Sequence, residues 1–120
     1  MKKYSLSFSE FSLASIIWDK EPIKSGELVK LARERLDWKK STTYTVLRKL
    51  EEKKIMVNNK SIVTSLVKKE EVQGHESKEF INKRFENSLP SFLTAFIGNN
   101  KISEEEAEEL KNLIDSYKED

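Results

Sequence analysis

At Ile55 the apolar period of the chain changes, and this limits the architectures open to it more than any other feature. Upstream, apolar residues recur at three- and four-residue intervals in successive stretches, the spacing of helices with one buried side. Residues 55–57 and 62–66 then form short β-prone runs separated by Asn58-Asn59-Lys60-Ser61. Asparagine tolerates the left-handed backbone of a tight hairpin turn, so a small β-hairpin is expected there. Beyond residue 78 helical spacing returns.

The upstream helices have readable starts and stops. Ser7-Phe8-Ser9-Glu10 has the form of a capping box, with Leu6 and Phe11 placed for a hydrophobic staple. Phe11, Ala14, Ile17 and Trp18 follow at helical spacing, and Asp19 to Pro22 ends the run because the residue before proline avoids helical geometry. A second helix of about three turns fits Ser25 as N-cap and Leu28, Leu31, Ala32 and Leu36 as its buried stripe. A third runs from near Ser41 to about Lys53 and buries Thr43, Val46, Leu47 and Leu50.

Three helices followed by a hairpin is the order of a winged helix-turn-helix. The expected fold is therefore mostly α with a small β-hairpin, with an N-terminal winged helix over 1–68. Residues 69–77 are polar, contain Gly74 and read as a linker. Residues 78–120 hold three further helical stretches. Phe80, Ile81 and Phe85 mark the first; Pro90 opens the second, with Phe92, Leu93, Phe96 and Ile97, and Gly98-Asn99-Asn100 closes it. Ser103 to Glu106 is a second capping box, leading into Ala107, Leu110, Ile114 and Tyr117. This segment has too little apolar surface to fold alone, so Phe80, Ile81, Phe85, Phe92, Leu93, Phe96, Ile97, Leu110, Ile114 and Tyr117 are expected to pack against a second copy in a homodimer.

Composition removes several classes. The 120 residues include no cysteine, which excludes disulfides and thiolate metal sites. No apolar run approaches the roughly 20 residues of a membrane span, and the first residues lack the apolar stretch of a signal peptide, so a cytoplasmic protein without membrane contact is expected. His75 is the sole histidine and falls in the polar stretch with no carboxylate dyad at a structured position; an enzyme is not expected. The glutamates at 104, 105, 106, 108 and 109 lack the Asp-x-Asp loop and glycine of calcium sites and read as a solvated helix start. No cofactor and no metal are expected.

Charge distribution points to a partner. Residues 20–60 carry 12 Lys and Arg against 6 Asp and Glu, whereas residues 61–120 carry 8 against 13. A basic front half fits a polyanion. On the third helix, Ser41, Thr45, Arg48 and Glu52 lie opposite the buried stripe, flanked by Thr42, Tyr44 and Lys49. Hydroxyls near a helix start followed by Arg and Lys are groups that bond phosphates and base edges of double-stranded DNA. Arg48 is the candidate for a bidentate guanine contact. Lys39, Lys40, Lys49 and Lys53 fit phosphate contacts, with Lys60 as the one candidate from the wing.

The residues also resemble a known family. Ser7-Phe8-Ser9-Glu10-Phe11-Ser12-Leu13-Ala14-Ser15-Ile16-Ile17-Trp18 is similar to the first helix of the penicillinase and methicillin-resistance repressors, and Trp38-Lys39-Lys40-Ser41-Thr42-Thr43-Tyr44-Thr45-Val46-Leu47-Arg48-Lys49-Leu50 to their recognition helix. Phe80-Ile81-Asn82-Lys83, Ser88-Leu89, Phe92 and Ser103 to Leu110 extend the likeness into the tail. The resemblance implies a homodimeric repressor of palindromic operators controlling β-lactam resistance or a related stress response, dimerised by its C-terminal helices. It also implies induction by a sensor-linked protease that cuts an Asn-Phe bond; here the matching position is Ala95-Phe96, with alanine in place of asparagine. The hairpin is shorter than is usual in the family, and Lys54 stands where glycine is common. The cysteines of the copper-responsive branch are missing. The short wing leaves one competing reading, a winged helix that binds protein rather than operator DNA.

Overall fold

A computed structural model describes residues 4–118. The first helix, α1 (Phe8–Lys20), starts as its capping box requires. The Ser7 hydroxyl accepts the Glu10 amide at 3.1 Å, and the Glu10 carboxylate accepts the Ser7 amide at 2.8 Å. A two-residue strand, β1 (Ile23–Lys24), leads into α2 (Ser25–Leu36), which ends on Asp37 in the left-handed conformation. Then come α3 (Lys40–Glu52), the hairpin strands β2 (Met56–Asn59) and β3 (Ile62–Ser65), and α4 (Lys69–Arg84). The winged-helix order is present.

The core lies where α1, α2 and α3 meet the sheet. Leu13, Ile17, Leu28, Leu47, Leu50, Ile55 and Val63 are fully buried, with Met56 and Val72. Thr43, Val46, Leu47 and Leu50 form the buried side of α3 as their spacing requires. On α1 the inward positions are Leu13, Ala14, Ile16 and Ile17; Phe11 and Trp18 flank them, half-buried, with ring centroids 5.7 Å apart. The Trp18 indole N–H donates to the Val67 carbonyl at 2.9 Å, and the Glu21 carboxylate accepts the Ser65 amide at 2.7 Å. These bonds fix the base of the wing to the end of α1.

One strand was not foreseen, and two sequence expectations are corrected. The sheet has three strands in the order β1-β3-β2, all antiparallel, because Ile23–Lys24 pairs with Val63 and Ile62. The hairpin connection is Lys60-Ser61 alone rather than the four residues 58–61, because Asn58 and Asn59 belong to β2. A turn centred on the asparagines would place residues 53 and 54 opposite β3, and the end of α3 already holds them: Lys53 is its C-cap and the Lys54 amide donates to Glu51. Finally, residues 69–77 are not a linker but the first half of a 16-residue helix. Polar composition misled here, since buried Val72 docks this stretch on the core and the Glu76 carboxylate accepts the Leu6 amide at 3.0 Å, while Glu70 and Glu71 are exposed.

The chain divides into two compact units, one ending at Glu79 and the other starting at Phe80. The second unit holds the end of α4, then α5 (Leu89–Ile97) and α6 (Glu104–Ser116). Ser88 caps α5 and Ser103 caps α6 through their hydroxyls, and Gly98 closes α5 with φ of +56°. Phe80, Phe85 and Phe92 form a mutual aromatic cluster with centroids 5.4–6.1 Å apart, and Phe96 stacks obliquely on Phe92. Among the described residues from 80 to 118, none is buried.

Candidate nucleic-acid interface

The sequence of α3 divides into two faces with opposite chemistry. With Thr43, Val46, Leu47 and Leu50 inward, helical geometry turns Ser41, Thr42, Thr45, Arg48 and Lys49 to solvent, and all five are exposed. Lys39 and Lys40 stand exposed at the start of the helix and Lys60 on the wing turn. Among the described residues, Lys39, Lys40, Arg48, Lys49 and Lys60 make no ion pair with a carboxylate. Their charge is available to a ligand.

The starts of α3 and α2 differ from those of α1, α5 and α6. Serine hydroxyls cap α1, α5 and α6, whereas no side chain caps α3 at Lys39 or α2 at Lys24. The first amide groups of α3 therefore have no side-chain cap, and they lie next to exposed Lys39 and Lys40 at the positive end of the helix dipole. This is the arrangement that accepts a backbone phosphate.

Two residues expected to touch DNA are engaged elsewhere. Tyr44 is half-buried on the core-facing flank of α3, and its hydroxyl donates to the Ser25 hydroxyl oxygen at 3.3 Å. Lys53 donates to Glu10 at 2.6 Å and to the Ser5 carbonyl at 2.9 Å, which ties the end of α3 to the start of α1. Glu10 is only 5% exposed. Burial raises the pKa of its carboxyl, but the Lys53 hydrogen bond and charge and the Ser7 donors outweigh this and hold it below its ordinary value. Neither engagement is readable from spacing, since both partners are distant in sequence. Ser25, expected to cap α2, is instead that helix's first residue and is buried.

The other expected sites fall as follows. Ile81, Phe85, Phe92, Leu93, Ile97 and Leu110 are half-buried within the second unit, while Phe80, Phe96, Ile114 and Tyr117 are exposed. Ala95 and Phe96 are both exposed and lie inside α5, near its end. His75 is on α4, 3.6 Å from Glu79 and edge-on to Tyr4. No helix among the described residues is long and apolar enough to cross a membrane.

Comparison with known proteins covers nearly the whole chain. The family model described as "Penicillinase repressor" matches residues 6–116. The methicillin resistance regulatory protein MecI of Mammaliicoccus sciuri is 27% identical over 117 residues, covering 94% of this chain and 95% of the relative. The penicillinase repressor of Staphylococcus aureus is 25% identical over 117 residues, with 94% and 93% covered. That of Bacillus licheniformis is 25% identical over 123 residues, with 98% and 96% covered.

Proposed function

The chain belongs to the penicillinase repressor family, a family of transcriptional repressors rather than enzymes, and we propose that it represses by laying α3 in the major groove of a palindromic operator as a homodimer. The observation that carries this reading is the outer face of α3. Exposed hydroxyls at Ser41, Thr42 and Thr45 are followed by unpaired Arg48 and Lys49 on a helix whose other face is anchored in the core. Side chains on a rigid helix reach base edges at a defined register, which loop residues do not. Arg48 supplies base readout, and Lys39, Lys40, Lys49 and the uncapped helix start take phosphates.

The exposed apolar residues of the second unit support the homodimer. Leu89 is 55% exposed, Phe96 73%, Leu113 55% and Ile114 51%. Apolar area of this kind, on a unit with no buried residue among those described, is what a second copy of the same unit would cover. Two copies present two α3 helices to two half-sites, and the symmetry of the pair requires a palindrome. Cutting at Ala95-Phe96 by a sensor-linked protease would separate α6 from the rest of this unit and so release the operator.

The test is binding to the DNA upstream of the protein's own gene, beside a random duplex, at several salt concentrations. Preference for the upstream DNA with a log-linear loss of affinity as salt rises is the expected result, because each neutralised phosphate releases counterions. Binding that ignores salt, or none at all, would instead favour a winged helix that docks on protein.

A further inference from the structure

Tyr44 stands among the recognition residues of α3 but faces another way. Its hydroxyl donates to Oγ of Ser25 at 3.3 Å. Ser25 is 7% exposed, and its own amide donates to the Ser61 carbonyl at 2.8 Å. Ser61 and Lys60 are the two residues of the wing turn, with φ of +70° and +52°. A continuous hydrogen-bonded relay thus runs from α3 through the first residue of α2 to the tip of the wing.

The turn needs such a tether. A two-residue hairpin loop with both φ values positive favours asparagine and glycine, whereas a lysine or serine held there costs about 1–2 kcal/mol each. The strands beside it are four residues long, so little sheet holds the tip in place. Ser25 supplies a fixed point because it is buried, begins α2 and follows Lys24, which pairs with Ile62 just past the turn.

Building on the reading of α3 as the DNA-facing helix, we infer that Tyr44 and Ser25 are positioning residues that hold the wing turn against the recognition helix, so that Lys60 meets a phosphate beside the groove α3 occupies. Tyr44 reads no base. Its contribution to DNA binding is made through Lys60, which gives a short wing one fixed charge where a longer one would offer several mobile ones.

The experiment is a salt series of binding to the upstream duplex for the wild type, Tyr44→Phe, Ser25→Ala, Lys60→Ala and the Tyr44→Phe/Lys60→Ala double variant. Lys60→Ala should lower the log-log salt slope by about 1. Tyr44→Phe removes one hydroxyl and should weaken binding on the order of threefold while lowering the slope in part; Ser25→Ala, which keeps its backbone bond to Ser61, should match it. In the Lys60→Ala background Tyr44→Phe should cost nothing further. Equal losses from Tyr44→Phe with and without Lys60 would overturn the inference, as would a Lys60→Ala variant with an unchanged slope. Salt-insensitive binding by the wild type would overturn the DNA-binding reading itself, a result separate from additivity among variants that bind.

Discussion

The Nζ atom of Lys53, at the C-cap of α3, lies 2.6 Å from Oε1 of Glu10 in the first turn of α1. This pair closes the three-helix core at one end, where the same carboxylate also completes the capping box with Ser7. Glu10→Gln keeps the shape but removes the charge, and should destabilise the fold by about 1–3 kcal/mol in urea unfolding at neutral pH. Because folding holds the Glu10 pKa below its unfolded value, this stability is full above the ordinary glutamate range and is lost as pH falls through the depressed value. The gap between wild type and Glu10→Gln should therefore close in acid. A gap that stays constant down to acid unfolding would show that the charge contributes nothing.

Arg48 and Lys39 are both exposed and cationic, yet they should fail differently when truncated. Arg48→Ala should reduce the preference for operator over random duplex by about 1–3 kcal/mol, the worth of a bidentate base contact. Lys39→Ala, at the uncapped start of α3, should weaken both duplexes alike and lower the salt slope by about 1. Fluorescence anisotropy on the two duplexes separates these outcomes, and matching behaviour of the two variants would refute the division of roles.

Lys54 has φ of +62°, immediately after the C-cap of α3, and its side chain is exposed. A side chain in the left-handed region clashes with its own backbone, which glycine avoids. Lys54→Gly should stabilise the protein by about 1 kcal/mol, visible as a thermal midpoint higher by several degrees. An unchanged or lower midpoint would mean that the lysine makes a compensating interaction in solution.

Most of the helices were legible because their signals are local. The Ser7–Glu10 box, the stripe from Thr43 to Leu50 and the Gly98 stop each act within one or two turns of the chain. What escaped depended on partners far away in sequence. Residues 69–77 are helical because Val72 reaches a core built by residues dozens of positions earlier, which their polar composition hides. The hairpin register is set by where α3 ends, not by the asparagines that favour a turn. The exposed face of α3 followed from its buried face, but the bonds of Tyr44 and Lys53 did not, because Ser25 and Glu10, their partners, come from other helices.

The second unit makes the sharpest demand on the homodimer. Phe96 and Ile114 are 73% and 51% exposed, so neither supports the fold of a single chain to any large degree. Replacing both with glutamate should leave the helical signal and the first unit's thermal unfolding nearly unchanged, since surface substitutions typically move stability by about 0.5 kcal/mol or less. In a homodimer the same changes put four carboxylates into an apolar contact, where an unpaired charge costs several kcal/mol. The wild type should therefore sediment as a dimer at micromolar concentration and the double variant as a monomer, with operator affinity lowered by at least tenfold because the two half-sites are no longer joined. Dimeric sedimentation of the variant would move the contact to another surface. Unfolding of the second unit would show instead that these side chains serve the chain's own packing.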